Sequence, residues 1–114
     1  VLARCEVGFR VIDLNDANWQ PIVESDRLVL VTFWAPWCGP CRNFHPTVQT
    51  LSQHFGRKVL FARINVDDFP DLCERFEVRT IPQLILFHAG REHKRLIGLQ
   101  SELVMTRLLY RVLE

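Results

Sequence analysis

Seven consecutive residues, Leu28-Val29-Leu30-Val31-Thr32-Phe33-Trp34, are almost all aliphatic, β-branched or aromatic. A strand with one wet face alternates apolar with polar residues. A run without that alternation must be covered on both sides, which predicts the central strand of a sheet with helices above and below it. The 114 residues of the chain suffice for one domain with such a two-sided core. The run from Leu28 to Ala35 is also the longest apolar stretch, and it falls far short of the about 20 residues that span a bilayer.

Around this strand the other elements follow from periodicity and punctuation. Val7 to Asp13 reads as an earlier strand. Asn15 stands where a helix N-cap would, with Leu14 and Trp19 spaced for a hydrophobic staple and Ile22 and Val23 extending the buried side. Phe44, Val48, Leu51 and Phe55 recur every third or fourth residue before Gly56, which gives a helix over Cys41 to Phe55. Pro46 lies inside it and, lacking a backbone donor, predicts a kink. Val59 to Asn65 is a third strand, and Pro70 to Phe76 a short helix opening on proline. Gln83 to His88 and Glu92 to Ile97 form a hairpin about Ala89-Gly90. Ser101 to Leu113 closes the chain as an amphipathic helix with Leu103, Val104, Leu108 and Val112 turned inward. The order βαβαβα followed by ββα describes one domain over residues 1–114, of which 1–6 read as a loose extension; no linker or repeat interrupts it.

Composition removes several classes of function. A net charge of +1, with no basic run longer than two residues, gives no reason to expect nucleic acid. Val1-Leu2-Ala3 is followed at once by Arg4 and Glu6, which is not a signal-peptide pattern, so the expected compartment is the cytoplasm. The chain starts without Met, and a removed leader stays open. Four cysteines, Cys5, Cys38, Cys41 and Cys73, are too few and too unevenly spaced for a disulfide scaffold.

The spacing that stands out is Cys38-Gly39-Pro40-Cys41, at the junction of the central strand with the following helix. Unpaired N–H groups and the positive end of the helix dipole favour a thiolate at Cys38, and the thiolate is the nucleophile. Cys41 lies one turn deeper on the same side and can resolve a mixed disulfide. Gly39 lets a partner backbone approach, and Pro40 stiffens the loop and helps set the redox potential. Of the two sulfurs, only Cys38 is expected to be both exposed and activated. Redox exchange is the reading of a Cys-x-x-Cys pair in a βαβ setting. Two alternatives stand beside it: a zinc site in which His45 would be a third ligand with no fourth, and two incidental structural cysteines. Cys73 reads as a half-buried helix residue and Cys5 as a loose thiol; His45, His54, His88, His93 and Arg57-Lys58 read as surface.

Trp34-Ala35-Pro36-Trp37-Cys38-Gly39-Pro40-Cys41-Arg42 resembles the active-site signature of the thioredoxin family, and the likeness extends over nearly the whole chain. The resemblance implies an α/β thioredoxin fold: a central mixed sheet of about five strands flanked by four helices. It implies a cis peptide at Ile81-Pro82, a kink at Pro46, and a substrate groove formed by Trp37, Thr80, Ile81, Pro82 and Gly98, with Arg79 to Pro82 facing the dithiol. It implies that Cys38 attacks, that Cys41 resolves, and that the pair cycles through a redox-active disulfide. The implied activity is protein-disulfide reduction in cell redox homeostasis by a monomer. No cofactor or metal is bound; electrons come from NADPH through a separate flavin-containing reductase, since the chain has no nucleotide motif. An oxidant or isomerase of an oxidising compartment, and a non-catalytic partner-binding module, are the rival functions.

The chain leaves the family pattern at Thr32. Thioredoxins usually carry a buried Asp there, to which the family assigns movement of the resolving cysteine's proton. The nearby strand lysine of many members is Arg63, which cannot act as a base. The exchange chemistry carries over; the proton relay does not, and Cys41 is left without an evident internal base.

Overall fold

The computed structural model describes residues 11–114. Nine elements follow one another: β1 (Ile12–Asp13), α1 (Trp19–Val23), β2 (Leu28–Trp34), α2 (Gly39–Phe55), β3 (Val59–Asn65), α3 (Pro70–Arg75), β4 (Gln83–His88), β5 (Arg91–Ile97) and α4 (Glu102–Val112). The five strands form one mixed sheet in the order β1-β3-β2-β4-β5. β3 runs parallel to both β1 and β2, whereas β4 is antiparallel to β2 and to β5. β2 is the middle strand, as its unbroken apolar run requires.

Strand alternation divides the core into two layers. Val29, Val31 and Phe33 of β2, with Ala62 and Ile64 of β3, face Trp19 and Val23 of α1 and Leu72 and Cys73 of α3. Leu30 of β2, with Val59 and Phe61 of β3, faces Phe44, Val48, Leu51 and Phe55 of α2 and Met105 and Leu109 of α4. By the same alternation Thr32 and Arg63, paired in register, belong to the α2 side. The edges are short or charged: β1 has two residues, and β5 reads Arg-Glu-His-Lys-Arg before its first aliphatic residue. Edges of that kind resist pairing with another chain. Ala89 and Gly90, at φ 53° and 81°, make the tight β4–β5 turn, whose positive φ values match the right-handed twist of the strands.

Three expectations are corrected. Asn15 does not cap a helix. Its Oδ1 accepts the N–H groups of Ala17 and Asn18, both at 2.8 Å, closing a turn, and helix α1 begins only at Trp19 with Asn18 as N-cap. Leu14 and Trp19 still meet in one buried cluster. The inward face of α4 is Met105 and Leu109, with Leu108 and Val112 half-buried; Leu103 and Val104 are 59% and 48% exposed. Met105, Leu108, Leu109 and Val112 stand at i, i+3, i+4 and i+7 and form the one apolar stripe, whereas Leu103 falls on the opposite side of the helix. Of the earlier strand expected over Val7 to Asp13, Ile12–Asp13 is β1; Val7 to Arg10, the loose extension at 1–6 and Cys5 lie outside the described residues.

Candidate active site

β2 ends at Trp34, and the chain turns through Ala35-Pro36-Trp37 directly into α2. Cys38 is the N-cap of α2, in extended conformation (φ −87°, ψ 107°), and its Sγ accepts the backbone N–H of Cys41 at 3.2 Å. The first N–H groups of any helix lack intrahelical partners, and here the sulfur takes the place that a serine or aspartate oxygen holds in ordinary caps. Pro40, in the first turn, gives up an N–H the helix does not need. Cys38 and Cys41 are joined as a disulfide with their Cα atoms 5.3 Å apart. Exposure does not separate the two sulfurs as expected: Cys38 is 5% exposed and Cys41 4%. What separates them is the N-cap position, which aims helical N–H dipoles at Cys38 alone.

A groove of about 490 Å³ lies against Trp37, the residue before Cys38, with Val66, Cys73, Val78, Arg79 and Ile81 also among its lining residues; neither Cys38 nor Cys41 lines it. Ile81 also packs against the buried group of Ala35, Cys38 and Cys41. The Ile81–Pro82 peptide is cis, as the resemblance implied, and Gly98 donates its N–H to the Pro82 carbonyl at 2.8 Å. Thr80 is exposed on the same loop. Of the five residues named from the resemblance, Trp37 and Ile81 line this groove, Thr80 and Pro82 adjoin Ile81 in the chain, and Gly98 is tied to Pro82 by its N–H. Gly98 has φ 89°, a conformation side chains resist, although open space surrounds the position.

Thr32 is on the other side of the dithiol. It is buried, and its hydroxyl makes no hydrogen bond. It lines a second cavity of about 140 Å³ together with Trp34, Cys41, His45 and Arg63. The indole N–H of Trp34 is also buried without a partner. Arg63 pairs with Asp13 at 2.6 Å and stacks on Trp34, 4.5 Å from the ring centroid. Among the described residues, no group of three or more His, Cys, Asp or Glu side chains could hold a metal ion.

Three residues at the site were missed from sequence. Asp67 accepts the indole N–H of Trp37 at 2.9 Å and so orients a ring that is 66% exposed. Arg95 donates to the carbonyls of Phe76 and Glu77 at 2.7 and 3.2 Å, clamping β5 to the connection that leads into Ile81-Pro82. His45 was read as a surface residue; it is half-buried in the second cavity. Burial, then the charge of Arg63, hold its pKa below the ordinary histidine value, with Asp13 opposing. The one available signal was its spacing, four residues after Cys41, which puts both on one face of α2.

A dithiol at a strand-to-helix junction, capped by its own helix and bordered by a groove, defines a thiol–disulfide oxidoreductase site on an open mixed sheet. Comparison with known proteins agrees. The thioredoxin family model matches residues 10–109. A thioredoxin of Alicyclobacillus acidocaldarius is 45% identical over 89 residues, covering 78% of this chain and 85% of that protein. A chloroplastic thioredoxin M of Arabidopsis thaliana is also 45% identical over 89 residues, covering 77% of this chain but 46% of the relative. The chain thus spans about half the length of its chloroplastic relative. A solved mutant thioredoxin from Halobacterium salinarum superposes with a TM-score of 0.83 at 31% identity, covering 91% of each chain. The chain belongs to the thioredoxin family.

Proposed function

We propose that this protein is a protein-disulfide reductase in which Cys38 attacks and Cys41 resolves. The single observation that carries the reading is the capping bond from the Cys41 N–H to the Cys38 sulfur beside the Trp37–Ile81 groove. In the reduced protein the same N–H and the positive end of α2 stabilise a Cys38 thiolate. That thiolate attacks one sulfur of a substrate disulfide, and the other substrate sulfur leaves as a thiolate that takes a proton from water. Cys41 then attacks Cys38 and releases the second substrate thiol. Two electrons have passed to the substrate, and Cys38–Cys41 is left as a disulfide.

Trp37, Thr80, Ile81, Pro82 and Gly98 form the proposed docking groove, in which an extended substrate segment pairs with backbone beside Pro82. Gly39 and Pro40 form the first turn of α2 between the two cysteines and help set the redox potential. The disulfide is re-reduced by electrons from NADPH through a separate flavin-containing reductase, and the protein works as a monomer in cell redox homeostasis. Its setting is a compartment that keeps thiols reduced. That is the cytoplasm on the sequence reading, and a plastid is supported by the name of the chloroplastic relative. Among the described residues no helix is long and apolar enough to cross a membrane.

Turnover of insulin disulfides in the presence of dithiothreitol tests the activity. Wild-type protein accelerates the reduction and Cys38→Ser does not. A Cys38→Ser variant as active as the wild type would refute the assignment.

A further inference from the structure

We propose that His45, acting within the cavity behind the disulfide, is the proton acceptor that frees the Cys41 thiolate for the resolving step. The inference rests on the reductase reading above and adds to it the residue that moves the second proton. Cys41 must give up a proton before it can attack, and it is 4% exposed, so bulk water has poor access to it. The part of its surroundings that could take the proton is the 140 Å³ cavity that it lines.

The groups facing that cavity can be taken in turn. Thr32, from β2, is buried and does not ionise. Arg63, from β3, stays protonated and is engaged by Asp13 of β1 and by the face of Trp34. Arg42, on α2, is likewise a permanent cation, and its Nη1 donates to the Pro36 carbonyl at 2.7 Å. Asp13 meets the cavity only through Arg63, at an exposed edge. Among the described residues, His45 is the one side chain facing the cavity that can gain a proton near neutral pH. Four residues along one helix set the Cβ atoms of Cys41 and His45 about 5–6 Å apart, within reach directly or through one water.

Room and polar partners for that water exist. The Thr32 hydroxyl and the Trp34 indole N–H are both buried, both without a protein partner, and both belong to residues lining this cavity. The cavity, though mostly apolar, is large enough for a water, and the imidazole together with the polar groups of its lining residues is the set from which such a water would draw its two to four partners. Burial, then the charge of Arg63, lower the pKa of the imidazole, with Asp13 opposing, which favours its neutral, proton-accepting form. The same Arg63 charge favours the thiolate that forms. The Cys41 proton passes to the imidazole, the Cys41 thiolate attacks the Cys38 sulfur, and the bond from Cys38 to the substrate sulfur breaks. The substrate sulfur leaves as a thiolate that protonates from solvent, and the imidazolium returns its proton to water.

Reduced protein mixed with Ellman's reagent separates the two steps by stopped flow. Cys38 releases the first thionitrobenzoate, and Cys41 attacking the mixed disulfide releases the second. In His45→Gln the first phase should keep its rate, while the second slows about tenfold at pH 7, a modest share of what general bases contribute. The wild-type second phase should level off with rising pH once His45 is neutral. In the variant it should keep rising until the two proteins converge at alkaline pH. In His45→Ala, added imidazole should restore the second phase. An unchanged second-phase rate and pH profile in His45→Gln, or no imidazole rescue in a folded His45→Ala, would overturn the proposal. A wild-type first phase no faster than in Cys38→Ser would instead overturn the reductase reading, and this inference with it.

Discussion

The backbone N–H of Cys41 points at the sulfur of Cys38, 3.2 Å away, and no equivalent bond to the Cys41 sulfur is made. One capping contact thus makes two sulfurs of nearly equal burial chemically unequal. Cys38→Ser should abolish substrate reduction. Cys41→Ser should keep the attacking step and stall as a mixed disulfide, with mass equal to protein plus substrate. Mass spectrometry under non-reducing conditions, after mixing each variant with a model disulfide, checks this.

Thr32→Asp would place a carboxyl group in the α2-side layer beside Arg63, its partner in register. Burial there raises the carboxyl pKa above its unfolded value, and Arg63 offsets only part of that. A raised folded pKa costs stability once pH exceeds the unfolded value, and the cost grows until pH passes the folded one. Denaturant unfolding should therefore show the variant weaker than wild type by about 1–3 kcal/mol at pH 8 and by less at pH 5. If the difference is the same at both pH values, the position is not buried as described. Its second-phase rate with Ellman's reagent should rise, since Cys41 gains another acceptor.

Gly98 joins the end of β5 to the loop that carries Pro82 through its bond to the Pro82 carbonyl, with φ at 89°. Space for a methyl group is open, so Gly98→Ala is a test of backbone conformation alone. It should lower stability by about 1–2 kcal/mol, the cost of forcing an L-residue into the left-handed region. Calorimetric or denaturant unfolding reads it, and KM for insulin should rise because the loop shifts.

Arg95 holds two carbonyls of the loop that leads to Ile81 and forms a bidentate pair with Glu92 at 2.8 and 2.9 Å. Arg95→Ala should cost about 1–3 kcal/mol, because the carbonyls lose a charged donor. Glu92 alone matters less. The hydrogen bond from Arg95 lowers its pKa, so its contribution is present above the unfolded carboxylate pKa and is lost as pH falls through the folded one. At this exposure it amounts to at most about 1 kcal/mol. Glu92→Gln and wild type should differ slightly at pH 7 and converge in acid.

Local pattern sufficed where one stretch of chain carries its own instruction. β3 and β4 begin and end where their apolar runs do, at Val59–Asn65 and Gln83–His88. The Cys38–Cys41 pair could be found because both its spacing and its strand-to-helix setting are local. The failures share a different cause. His45 looks like a surface histidine until β1, β2 and β3 bring Asp13, Trp34 and Arg63 to its side of the sheet. The hydroxyl of Thr32 is left unbonded at a cavity assembled from two strands, a helix and Val11. Those facts belong to tertiary packing, which periodicity does not encode.

The most direct test of the central claim, that Cys38 is the attacking sulfur, is timed alkylation of the fully reduced protein. Iodoacetamide is added near neutral pH and each cysteine is followed separately by peptide mass. Cys38 should be modified well before Cys41, because the helix terminus favours its thiolate. Cys73, whose thiol burial pushes up, should be slower than Cys38 as well. Faster modification of Cys41 or Cys73 than of Cys38 would contradict the account.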